Sequence, residues 1–137
     1  GLESRHNRGY WRMTPYLGLG AAAHGYVDGA RWANAADIPA YIRAVRAGTC
    51  VRTPEDGART RARAMEEYAF LALRTAEGID AADFRRRWGR DLEDVYGAVI
   101  ARYIGLGLLR RTAAGAALTA AGMKLGNEVF AAFLLEA

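Results

Sequence analysis

Between Leu92 and Ile104 the apolar residues Leu92, Val95, Tyr96, Val99, Ile100, Tyr103 and Ile104 return at intervals of three and four. Only an α-helix gathers residues at that spacing onto one face, and the face must then be covered by other elements. Asp91 stands where an N-cap is needed, and Gly105 and Gly107 follow as breakers. The next stretch, Leu108 to Thr119, reads as two short strands around Ala113-Ala114-Gly115. An amphipathic helix feeding a β-hairpin is the constraint the rest of the chain has to satisfy.

The flanking signals build on it. Thr53-Pro54-Glu55-Asp56 predicts the start of a long helix to about Glu77, with Met65, Tyr68, Ala69, Ala72 and Ala76 at helical spacing and Gly78 as C-cap. Asp80 caps a short helix, Ala81 to Trp88, with Phe84 and Trp88 on one face and Gly89 ending it. A last helix is expected from Thr119 or Ala120, carrying Val129, Phe130, Phe133 and Leu134. Helices, hairpin and closing helix together predict a winged-helix-like domain over residues 54–137.

Residues 1–36 are richer in glycine and aromatics and read as loops with short strands at Tyr16–Leu19 and His24–Val27. Asp28-Gly29 is a turn and Ala30 to Asn34 the return arm. Asp37-Ile38-Pro39 opens a short helix with Tyr41, Ile42 and Val45 on one face, stopped by Gly48. The expected fold class is α+β and mostly helical: a short strand and loop N-terminal segment followed by the winged-helix-like C-terminal domain.

Length and composition, 137 residues with 52% hydrophobic, suit one globular domain with room for a subdomain. The net charge of +4 is carried by arginine, since Lys124 is the one lysine among 19 Lys and Arg. Beside so much alanine and glycine, this is a compositional bias and no footprint for nucleic acid. A single cysteine, Cys50, excludes an internal disulfide and any cysteine-held cluster built by this chain alone. A cytoplasmic setting is expected, with no signal peptide and no membrane-spanning run. The chain opens without Met in what reads as a loop, so a piece of a longer protein is expected.

Both histidines lie near the start, in His6-Asn7-Arg8-Gly9-Tyr10-Trp11 and Tyr16-Leu17-Gly18-Leu19-Gly20-Ala21-Ala22-Ala23-His24-Gly25. These segments fit, in order, the His-Asn-x-x-Tyr-Trp and Tyr-x-Gly-x-Gly-x-x-Ala-His motifs of the HemW-type proteins. Those are radical-SAM haem chaperones related to oxygen-independent coproporphyrinogen III oxidases. Arg31-Trp32-Ala33-Asn34 resembles the family's Arg-x-x-Asn. Glu66 to Arg74 with Gly78 resembles its Glu-x-x-x-x-Leu-x-Leu-Arg-x-x-x-Gly, and Gly126-Asn127-Glu128-Val129-Phe130 its C-terminal end. One departure is Ala22, where the family often has glycine.

The resemblance implies that residues 1–50 are the edge and exit of a radical-SAM barrel absent from this sequence. That barrel would hold a [4Fe–4S] cluster and S-adenosylmethionine, and Cys50 matches none of its cluster positions. Residues 54–137 would be the accessory domain. Alone the chain is not expected to be an enzyme, although its parent resembles radical-SAM oxidoreductases.

The resemblance assigns haem binding to His6, Asn7, Tyr10 and Trp11, with the His6 imidazole as iron ligand. Tyr10, Trp11 and Tyr16 would wall a porphyrin, and Arg5, Arg8 and Arg12 would meet its propionates. His24 is a further candidate contact. The competing reading is structural: His6 and Asn7 fix a loop while Tyr10 and Trp11 pack, and His24 is a hydrogen-bonded histidine. Implied partners are haem and acceptor proteins, membrane-associated ones included, which would place the protein at the membrane through a partner.

Two alternatives stay open: the accessory domain of a coproporphyrinogen oxidase in porphyrin biosynthesis, and a winged-helix module for DNA or protein. The acidic start of the would-be recognition helix, Asp91-Leu92-Glu93-Asp94, argues against DNA. Arg85-Arg86-Arg87 reads as a solvated face, and Glu66 and Glu67 diverge around their helix.

Overall fold

The computed structural model describes residues 4–49, 52–54 and 60–135. Cys50 lies outside these residues, as do Glu55 and Asp56 of the expected helix start. The chain divides into two compact units, Met13–Arg59 and Gly1–Arg12 with Thr60–Ala137.

The smaller unit is a three-stranded antiparallel sheet in the order β1-β2-β3, with one helix. Strands β1 (His24–Val27) and β2 (Ala30–Asn34) form the expected hairpin. Asp28 and Gly29 both have positive φ, 52° and 78°, as a two-residue turn matched to strand twist requires. The third strand, β3 (Arg52–Pro54), pairs with β2, so Thr53 and Pro54 are extended and do not begin a helix. Tyr16 to Leu19 is not a strand; Tyr16 alone bridges to Tyr26. Helix α2 (Ile38–Arg46) starts as expected, with the Asp37 carboxylate accepting from the Ala40 N–H at 2.7 Å.

In the larger unit, helix α1 (Arg5–Trp11) replaces the expected loop. The Ser4 hydroxyl accepts from the Asn7 N–H and caps its first turn. Helix α3 (Arg61–Ala72) starts late, at a Thr60 cap, and stops before Ala76. Gly78 therefore does not cap it. At φ 75° Gly78 presses instead against β6, where a Cβ would stand 2.1 Å from the Ala116 carbonyl oxygen.

Strand β4 (Ile79–Asp80) leads into α4 (Ala81–Trp88), capped by Asp80 and closed by left-handed Gly89. Helix α5 (Leu92–Gly105) runs into the hairpin of β5 (Leu109–Arg111) and β6 (Gly115–Leu118). β6 lies between β4 and β5 in a second antiparallel sheet. The expected last helix is two short ones, α6 (Ala120–Lys124) and α7 (Gly126–Ala131), broken at Leu125, so Phe133 and Leu134 follow the helix.

The core is where the periodicity put it. Leu92, Tyr96 and Ile100 of α5 are buried along with Phe84, Leu73, Ile79, Val129 and Phe133, all at most 2% exposed. Phe84 stands between the rings of Trp88 and Tyr96, at 4.7 and 5.9 Å, and Tyr96 continues to Phe133 at 5.0 Å. Burying so much aromatic surface is the main stabilisation available to a domain of this size.

Candidate functional site

The hexapeptide motif is helix α1, and helical geometry sorts its side chains. His6 and Tyr10, four residues apart, share a face; their rings meet edge to face at 4.8 Å, and both residues are exposed. Trp11 is five residues beyond His6, about 140° further round the helix, and is half-buried. Arg8 and Arg12 share a side with each other and grip one oxygen of Glu77, at 2.7 and 2.8 Å. Asn7 and Arg5 are exposed. The fold thus joins His6 to Tyr10 and turns Trp11 elsewhere.

Glu77 answers this grip electrostatically. A hydrogen bond from its own backbone and the charges of Arg8 and Arg12 hold its carboxyl below the usual carboxylate range, against a smaller opposing effect of burial. Two of the three arginines expected to face propionates, Arg8 and Arg12, are therefore carboxylate binders already, and their carboxylate is internal.

Tyr16 and His24 belong to the other unit. Tyr16 packs on Tyr26, ring centroids 6.4 Å apart, and its backbone exchanges both hydrogen bonds with that residue. His24 opens β1 opposite Ala33. The Tyr-x-Gly-x-Gly loop has a clear structural logic. Buried Asn34 donates its amide N–H groups to the Gly18 and Gly20 carbonyls, at 3.1 and 2.8 Å. The Tyr41 hydroxyl accepts from the Gly20 N–H at 3.1 Å. Gly18 must be glycine, because a Cβ there would lie 2.2 Å from the His24 carbonyl oxygen.

A cleft of about 490 Å³ opens beside Trp11 in the larger unit, lined by Leu73, Arg74, Leu118, Lys124 and Phe130 among others. Arg74 lies over the Phe70 and Phe130 rings, at 4.2 and 5.4 Å. Sequence spacing did not single out this cleft, nor Glu77 as the partner of α1, because each is assembled from segments more than 40 residues apart.

Residues 60–125 match the family described as HemN C-terminal domain. The whole chain is similar to the heme chaperone HemW of Bacillus subtilis, 36% identical over 137 residues, 99% of this chain and 36% of that protein. It is also similar to the heme chaperone HemW of Lactococcus lactis, 35% identical over 136 residues, 99% of this chain and 35% of that protein. The chain thus spans about a third of the length of these relatives. Its fold resembles the Escherichia coli coproporphyrinogen III oxidase HemN, with a TM-score of 0.62 at 19% identity, over 88% of this chain and 28% of that one.

The stretch that matches this family is built around α5, and α1 docks on it through Glu77, which lies between α3 and β4. Among the described residues no three His, Cys, Asp or Glu come together. No helix among them is long and apolar enough to cross a membrane.

Proposed function

We propose that this chain supplies haem-contacting surface to a HemW-like heme chaperone that passes haem to acceptor proteins, membrane-associated ones included. The observation that carries the reading is the exposed His6 imidazole on α1, set edge-on against Tyr10. An accessible imidazole with one flank fixed by an aromatic ring is a competent axial ligand for iron. Similarity to two proteins named heme chaperone, over nearly the whole chain, supports the same reading. Haem here is cargo. A [4Fe–4S] cluster and S-adenosylmethionine would be held by parts of the parent outside this sequence, and the chain's residues take no step through either. We place this activity in the cytoplasm.

The rival reading as a DNA module is weakened by pairing of the cations it would need. Arg86 and Arg87 bond Asp83, Arg85 lies 3.3 Å from Asp91, and Arg111 bonds Glu93. Haemin titration followed at the Soret band tests the chaperone reading. His6→Ala is expected to weaken binding about tenfold or more and to change the band position. An identical band and affinity in the variant sinks His6 as the ligand.

A further inference from the structure

Three segments by which this chain resembles its family, far apart in sequence, meet at one place. Trp11 closes the hexapeptide, Leu73 and Arg74 end the Leu-x-Leu-Arg segment, and Phe130 ends the last one; all line the 490 Å³ cleft. With Leu118 they make an apolar wall, while Arg74 and Lys124 put two cations at the same opening. Both are exposed, and neither has an ion pair among the described residues. Two aromatic rings hold the Arg74 guanidinium in position without neutralising it. Glu128 also lines the cleft, leaving an excess of one positive charge.

A recess of this volume, with one apolar side and a cationic edge, suits a ligand with an apolar body and carboxylates on one side. Under the reading above, that ligand is a tetrapyrrole. We propose that the cleft seats the ring of a carboxylate-bearing porphyrin, with its carboxylates on Arg74 and Lys124. This seat is distinct from iron ligation by His6. The His6 side of α1 lies about 140° from Trp11, so a ring in the cleft is held by burial and charge, without that imidazole.

The test uses iron-free protoporphyrin IX, titrated into the 137-residue chain and followed by fluorescence. Wild type is expected to bind it and His6→Ala to bind it equally well. The double variant Arg74→Met, Lys124→Met is expected to lose about tenfold or more in affinity. Lys124→Met alone, at an exposed helix end where no packing is disturbed, is expected to lose severalfold.

Because Lys124 is the one lysine, reductive ¹³C-methylation gives a single side-chain signal, and porphyrin is expected to shift it. Failure of wild type to bind iron-free porphyrin overturns the cleft, even where haemin still binds. So does unchanged affinity in both variants, or a Lys124 signal that stays fixed as porphyrin binds. A haemin Soret band unaffected by His6→Ala overturns the His6 reading and leaves the cleft standing.

Discussion

At the scale of single residues, Ala22 is one of three non-glycine residues with positive φ among those described, with Met13 and Asp28. Its φ is 57°, a left-handed conformation that L-residues adopt at a cost of about 1–2 kcal/mol. The turn holds it there through hydrogen bonds from the Ala22 N–H to the Ala35 carbonyl and from the Asn34 N–H to the Ala23 carbonyl, at 3.0 and 2.9 Å. Ala22→Gly is expected to raise unfolding free energy by about 0.5–1 kcal/mol, after the larger chain entropy of glycine is subtracted. Urea denaturation checks it, and a lower midpoint would refute it. Tyr96 presents a different imbalance: it is 1% exposed, and its buried hydroxyl has no hydrogen-bond partner among the described residues. Burial first, then the Glu66 charge, push this phenol up. An unfolded tyrosine ionises near pH 10, so the neutral buried form contributes stability below that pH and loses it as pH rises further. Tyr96→Phe is expected to be neutral or stabilising by about 1 kcal/mol at pH 7, and to flatten the loss of stability above about pH 10. A steeper alkaline loss in the variant would contradict this.

Among the elements, α2, α4, α5 and the two hairpins were legible in the sequence for physical reasons. Each carries its own start and stop: Asp37, Asp80 and Asp91 at helix N-termini, Gly89 in left-handed geometry, Asp28-Gly29 in a tight turn. Where such punctuation was ambiguous, the reading failed. Pro54 looked like the first turn of a helix, but pairing with β2 draws it into a strand. Helix α1 has seven residues, Gly9 within it and few strong helix formers, so the Ser4 cap is too weak a local signal to announce it. The Asn34 clamp shows what a motif asparagine does here: one side chain ties two carbonyls of a glycine loop to the sheet. Asn34→Ala is expected to cost about 1–3 kcal/mol, the loss of two part-buried hydrogen bonds. Thermal unfolding measures it, with the largest amide-exchange changes expected at Gly18 to Ala22.

For the molecule as a whole, the decisive contact is the one that joins its first helix to its later residues. Arg8 and Arg12 reach Glu77 across 69 and 65 positions of sequence. Because the Glu77 carboxyl is held low, its contribution is present above the ordinary carboxylate range near pH 4.3 and lost as pH falls through the folded value. Acidification below about pH 4 is expected to loosen α1, and Glu77→Gln to reproduce part of that loss at pH 7. With Glu77 about half exposed, the effect should stay under about 1 kcal/mol. Amide exchange over Arg8 to Arg12 is the readout, and unchanged protection in the variant would refute it. The sequence by itself determined the α5-centred core, the hairpins and the motifs by which this chain resembles the HemW-type proteins, since periodicity, caps and turn chemistry are local properties. Only the tertiary structure decided that the hexapeptide is a helix, that His6 and Trp11 face different ways, and that Trp11, Arg74 and Phe130 share a cleft. Those outcomes depend on ion pairs and ring contacts between residues that no local periodicity links.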